Sequence, residues 1–294
     1  MGPNGKVVRL TAGEYEASVA SSGAMLATLT KSGRNIVVPV DVDHDLPVAY
    51  QGKSLIPWPN RITGGTYTFA GRTLQVPINE SATSAALHGL GCWSDWAIVS
   101  RSEDAVTFAA DVLPSYGYPF ALHVTCTYKV SAETGLSVHI SAQNTGANSA
   151  PYGVSSHPYL ANGDGIDECE LTVPASLMLQ VDERLAPDHL DPVEDAGTDF
   201  RNGRKIGTQE VDNAFTGLPE GEWEVRLSRV GAGTVVMTAS DPWVQVYTGE
   251  LVGRRGVAIE PMTCAPDAFN SGDGLIVLAP GQSHEFGWTL RLDE

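Results

Sequence analysis

Apolar and polar residues alternate along much of the chain with a period of two. Phe120, Leu122, Val124, Cys126, Tyr128 and Val130 fall on one side of a segment, with His123, Thr125, Thr127 and Lys129 on the other. After the turn SAETG the alternation resumes, with Leu136, Val138, Ile140 and Ala142 set against Ser137, His139 and Ser141. Successive side chains of a strand point to opposite faces, so this pattern predicts a β-hairpin with one buried face. The same pattern recurs in TYTFAGRTLQV, AIVSRSEDAVTFAADVL, EWEVRLSRV, WVQVYTG and HEFGWTLRL. Glycines and prolines break up the chain before any apolar stripe of helical spacing exceeds a couple of turns. The prediction is an all-β chain, a large antiparallel β-sandwich. The loop-rich section 182–207 lies between strand runs of unchanged character. It is expected to be a functional loop within one domain spanning residues 1–294, not a linker.

Composition narrows the partners. The chain of 294 residues is 42% hydrophobic, enough for a substantial core, and its 18 basic against 35 acidic residues give a formal charge of −17. Such a surface repels phosphate backbones and anionic headgroups, so neither nucleic acid nor membrane is expected as a partner, and a neutral small molecule is. No run approaches the roughly 18 apolar residues of a membrane span, and MGPNGKVVRL carries no export signal. Cys92, Cys126, Cys169 and Cys264 form no CxxC pair. They read as buried, reduced thiols of a cytoplasmic protein rather than zinc or redox ligands, the alternative being a secreted chain whose fold pairs them in two disulfides.

Against that background a few polar residues stand out. In SSHPYL, Pro158 biases His157 toward extended backbone, where a strand ends and the turn-rich YLANGDG begins. An acid–base group held stiffly in this way can be aimed, although an ordinary strand terminus looks the same. His88, followed by Gly89 in ALHGLGCW, stands at a similar break. In GVAIEPM, alternation puts Glu260 on one face with Ala258, and Val257 with Ile259 on the other. A carboxylate on so apolar a strand must be hydrogen-bonded, paired or functional, and an ion pair with an arginine is the structural alternative. Asp212 in VDNAFTGL fits an Asx turn or a hydroxyl acceptor. Arg61, after WPN, offers a rigid fork of donors. Trp243, Gln245 and Tyr247 share a strand face that suits a sugar ring, and equally an ordinary half-covered sheet. His123 and His139 are expected on solvated strand faces, and His44, His189 and His284 in polar loops. His88, His157 and Glu260 could make a two-histidine, one-carboxylate metal set, but no histidine pair has helical ligand spacing and no cysteine joins it. No metal site is therefore expected, and with no nucleotide motif in the chain no cofactor is either.

In chain order these positions resemble the aldose 1-epimerase (galactose mutarotase) family. The shared features are Asn60-Arg61-Ile62, His88-Gly89, His157-Pro158-Tyr159, Asp212-Asn213 before Phe215, and Glu260 followed by Pro266-Asp267-Ala268-Phe269-Asn270. The resemblance implies a galactose mutarotase-like supersandwich that interconverts the α and β anomers of a free hexose. It implies Glu260 as the general base, His157 as the general acid and His88 as a hydrogen-bonding assistant, with Arg61, Asp212, Asn60, Gln245 and Tyr247 as substrate-binding candidates. Met262 stands where many relatives carry glutamine, which puts galactose preference in question. A hexose-6-phosphate epimerase of the same fold would need a basic pocket, for which Arg254 and Arg255 are the visible candidates. A non-catalytic carbohydrate-binding protein would not need both an acid and a base. A monomer or homodimer is expected.

Overall fold

The computed structural model describes residues 2–294. The alternating segments form the predicted strands. Leu122–Ser131 and Gly135–Asn144 pair antiparallel from Leu122↔Asn144 to Ser131↔Gly135. Leu122, Val124, Cys126, Tyr128 and Val130 are buried, as the period of two requires. This hairpin sits inside a nine-stranded sheet, where the long strand Ser283–Asp293 joins it to Gly233–Ala239 and Trp223–Arg229. A four-stranded sheet is built from Val7–Ala12, Tyr15–Ala20, Met25–Lys31 and Arg34–Asn35.

An eight-stranded sheet carries the polar residues of interest. Its path runs Pro187–Pro192, Leu177–Val181, Asp212–Thr216, Trp243–Tyr247, Val257–Met262, Ser155–Ser156 and Ser54–Leu55, and Tyr159–Leu160 also pairs with Val257–Met262. One face of this sheet contributes Phe215, Val244, Val246, Val257 and Ile259 to the main core, together with Val124, Ile140, Leu227 and Leu290 of the nine-stranded sheet. Every residue of Val257–Met262 is buried. Burying Val257, Ile259 and Met262 is worth roughly 1.5–3 kcal/mol each, which anchors the strand that bears Glu260.

Two expectations need correction. Residues 182–207 are not a plain loop: Pro187–Pro192 folds back antiparallel onto Leu177–Val181, and Arg204–Lys205 pairs with Glu170–Thr172. Pro187 and Pro192 sit at the two ends of an edge strand, the position where a residue lacking an N–H donor is tolerated. His189 and His284 are not in loops either: His189 lies on Pro187–Pro192, and His284 lies on Ser283–Asp293 and is only partly exposed. Among the described residues the one α-helix is the single turn Ala268–Ser271, and no helix is long and apolar enough to cross a membrane. All four cysteines are free and buried.

Candidate active site

Strand register assembles one wall of the site. Glu260 lies opposite Gln245, which lies opposite Ala214. In the next row on the same face, Tyr159 lies opposite Ala258, then Tyr247, then Asp212. Side chains two residues apart share a face, so Glu260, Gln245, Tyr247 and Asp212 all point away from the main core. They line a cavity of about 390 Å³ together with Asn60, Arg61, His88, His157 and Tyr159. All eight site residues expected from sequence therefore line one cavity.

His157 enters from the break between Ser155–Ser156 and Tyr159–Leu160. Its backbone is fixed on both sides: its N–H donates to the Lys53 carbonyl (3.0 Å) and its carbonyl accepts from the Gly52 N–H (2.8 Å). Its ring stacks on Tyr159 at 5.1 Å and 12°. Nε2 lies 3.3 Å from Oε1 of Glu260, which is 2% exposed. The arginine partner considered for Glu260 is committed elsewhere, because Arg61 grips Glu80 through Nε (2.6 Å) and Nη2 (2.9 Å). Oε2 of Glu260 and Nδ1 of His157 are buried without a hydrogen-bond partner among the described residues. Such orphans are uncommon in folded proteins and call for an explanation.

His88 has φ of 62°, a left-handed conformation on the turn that Gly89 completes. A Cβ at Gly89 would meet the Ile56 carbonyl oxygen at 2.2 Å, so only glycine fits behind the histidine. Nδ1 of His88 accepts the Asn60 N–H at 3.2 Å, which leaves Nε2 as the protonated nitrogen of the neutral ring. Donor atoms of His88, His157 and Glu260 all lie within 4.8 Å of one another. A metal-ligating imidazole donates its other N–H outward, however, and His88 does the reverse.

The remaining polar residues form a chain. Gln245 donates to Oδ1 of Asp212 (2.7 Å) and accepts from Asn60 (3.2 Å). The Tyr247 hydroxyl accepts the Leu251 N–H. Trp243, expected to complete a sugar-facing stripe, is instead buried with Leu179, Ala214, Met262 and Ala265. Met262 lies directly opposite it, in the dry cluster beside the cavity.

Burial sets the protonation preferences. It pulls His157 down to about 3, and it lowers His88 well below the usual imidazole value, with help from His157 and Arg61. It holds Glu260 well above the ordinary carboxylate range, and the nearby Asp212 adds to that. Asp212 is itself raised by burial, against the pull of Arg61. A dry site thus disfavours any net charge on the His157–Glu260 pair.

Several contributors escaped the sequence reading. Glu80 orients Arg61, and Tyr50 meets the His88 ring edge-on at 4.6 Å. Leu185, from the section expected to be a loop, and Leu251 also line the cavity. Asp267 accepts the Thr63 N–H and donates its own N–H to the Arg61 carbonyl, tying the helix turn to the arginine strand. Only Asp267 had a signal, as part of the PDAFN stretch; the others sit in locally unremarkable sequence.

The profile of a protein family described as aldose 1-epimerase matches residues 6–291. The chain is 43% identical over 289 residues to the uncharacterized protein YihR of Escherichia coli (strain K12), covering 98% of this chain and 93% of that protein. It is 27% identical over 229 residues to the aldose 1-epimerase of the same organism, covering 70% and 65% of the two chains. Among solved structures, a galactose mutarotase-like protein from Clostridium acetobutylicum superposes with a TM-score of 0.87 at 19% identity, over 99% of this chain and 96% of that one. A putative aldose 1-epimerase from Escherichia coli K12 gives 0.85 at 23% identity, over 98% and 99%.

Proposed function

This chain belongs to the aldose 1-epimerase family, and from that premise we propose that it interconverts the α and β anomers of a free, uncharged hexose such as glucose or galactose. The observation that carries this reading is the 3.3 Å approach of His157 Nε2 to Glu260 Oε1 within one cavity. Ring opening needs a proton taken from the anomeric hydroxyl and another delivered to the ring oxygen on the same carbon. An acid and a base a few ångströms apart meet that requirement.

In the forward step Glu260 takes the O1 proton while His157 Nε2 delivers one to O5. The C1–O5 bond breaks and the O1 electrons form the aldehyde carbonyl. Rotation about C1–C2 and closure from the other face reverse both transfers. The His88 Nε2–H donates to the reacting oxygens, and the substrate O1 hydroxyl satisfies the unpaired Glu260 Oε2. Arg61 and Asp212, oriented by Glu80 and Gln245, hold the other hydroxyls. The pair carries one proton between its members. Burial favours the imidazole–carboxyl form, and the reactive imidazolium–carboxylate form lies a single proton transfer away.

This proton inventory sets the pH profile. A second proton makes the buried pair cationic, and the depressed His157 places that step near about 3. Loss of the shared proton makes it anionic, and the raised Glu260 carboxyl resists that loss. We expect kcat/KM to stay flat from about pH 5.5 to about 7.5, where a solvated catalytic histidine would titrate near about 6.5. A pH–rate limb centred near about 6.5 would contradict the buried-pair description.

Substrate charge is the second test. Arg254 is engaged by Asp167 (2.8 Å) and Glu250 (2.7 Å), and Arg255 donates to the Val252 carbonyl. Neither lines the cavity, whose arginine is already paired with Glu80. A phosphate dianion would therefore meet Asp212, Glu260 and Glu80 without a free cation to offset them. Polarimetry on freshly dissolved α-glucose, α-galactose and α-glucose 6-phosphate should show at least about tenfold faster catalysed mutarotation of a neutral sugar. A preference for the phosphate ester would overturn the choice of substrate class.

A further inference from the structure

We propose that the Lys53 side chain is a positioning group for the two pocket imidazoles, acting through the rings of Trp93 and Tyr50 on a backbone that already holds His157. The inference rests on the mutarotase reading above, which leaves Lys53 without a role. Its side chain is 0% exposed and, among the described residues, Nζ has hydrogen-bond partners only on Ser22 and no carboxylate. Nζ donates to the Ser22 carbonyl (2.7 Å) and the Ser22 hydroxyl (2.9 Å), and it stands 4.5 Å from the centroid of the Trp93 ring. The titratable group facing it is the Cys92 thiol, which burial pushes up to about 11 and keeps neutral. Burial pulls Lys53 down to about 8, so it still carries its proton at neutral pH. An ammonium desolvated without a counter-ion is costly, and a methionine of similar length would fill the space without that penalty. The charge must therefore do something that packing alone does not.

Two routes lead from Lys53 to the imidazoles. Along the backbone, its carbonyl accepts the His157 N–H, Gly52 donates to the His157 carbonyl, and the Lys53 N–H donates to the Tyr50 carbonyl. The residues around Lys53 thus hold both backbone groups of the proposed acid. Through side chains, the ammonium lies over Trp93, Trp93 packs on Tyr50 at 5.7 Å, and Tyr50 meets His88 at 4.6 Å. His88 in turn meets His157 edge-on at 5.2 Å. Trp93 is 48% exposed, so a cation beneath its ring is well placed to fix its plane. The lysine stem has little slack: a Cβ at Gly23 would lie 2.8 Å from its Cδ and 2.1 Å from the Cys92 carbonyl oxygen.

The test compares Lys53→Met, Trp93→Leu, Trp93→Phe and the Lys53→Met/Trp93→Leu double variant. It reads kcat and KM by polarimetry on α-glucose and α-galactose, imidazole ¹⁵N–¹H resonances of His88 and His157, and thermal stability. Lys53→Met and Trp93→Leu should each lower kcat about tenfold with KM within about twofold, since small misplacements of a reacting group are costly. Both should shift the two imidazole signals. Trp93→Phe, which keeps a π face, should retain at least about half of kcat, and the double variant should lose no more than the worse single one. Unchanged kcat and imidazole signals with only a lowered melting temperature would reduce Lys53 to a structural role. A raised KM at unchanged kcat in Trp93→Leu would make that ring a substrate contact and overturn the inference. If Lys53→Met does not fold, Trp93→Leu and its imidazole spectrum decide the matter. If the wild type accelerates neither sugar, the functional reading fails separately, and the imidazole shifts still decide whether Lys53 positions the pair.

Discussion

Glu260→Gln is expected to lower kcat for mutarotation by about 10³-fold or more while sugar affinity stays within a few-fold of wild type. The substitution keeps the shape of the side chain and removes its capacity to take a proton. The carboxyl sits on a strand buried along its whole length, opposite Gln245, with Oε1 on His157 and Oε2 unpaired. Its charge is opposed by burial, so the neutral amide relieves a penalty instead of breaking a network. Melting temperature should accordingly hold or rise, the pattern of a residue retained for function at some expense to stability. Polarimetry and a thermal melt on the same preparation separate the outcomes. Wild-type kcat would remove Glu260 from the chemistry, and a steep loss of stability would make it a structural residue. Saturable sugar binding with no acceleration in the wild type itself would favour a non-catalytic carbohydrate-binding protein.

His157→Asn should cost about 10²–10³-fold in kcat, somewhat less than Glu260→Gln. Water admitted into the vacated space can protonate the ring oxygen slowly, whereas the lost base has no neighbour able to replace it. The other carboxyls that line the cavity are engaged, Asp212 by Gln245 and Glu80 by Arg61. The His157 backbone is held by Gly52 and Lys53 through atoms the substitution leaves intact, so the loop should keep its path. Because acid and base act in one step, the double variant should be no slower than Glu260→Gln alone within about a factor of three. Multiplicative losses would indicate that the two residues serve separate steps.

Much of the architecture was legible in the linear pattern. The hairpin of Leu122–Ser131 and Gly135–Asn144 follows from strict alternation, because a strand half-buried on one face must alternate. The strand Pro187–Pro192 was hidden, since its residues PDHLDP lie at an open edge and mostly outside the core, where no apolar period is imposed. Site residues divided in the same way. His88, His157 and Glu260 stand out because each interrupts a strand or its apolar pattern, Asp212 because a turn former precedes an apolar pair, and all four because their order resembles a family; the fold brings them to one cavity. Glu80 and Tyr50 gave no such signal. Lys53, in the polar stretch QGKSL, gave no signal either, although it is fully buried.

By itself, then, the chain determined its strands, their buried faces and the residue types available for acid–base work, since these depend on local alternation and on which side chains can hold a proton. Only tertiary structure decided that Glu260, 103 residues beyond His157 in the chain, would meet it across 3.3 Å. A period of two tells which face a residue occupies and nothing about which strand will lie beside it. That neighbour is chosen by long-range pairing, and so the row Tyr159–Ala258–Tyr247–Asp212, and with it the cavity, exists only in the folded sheet.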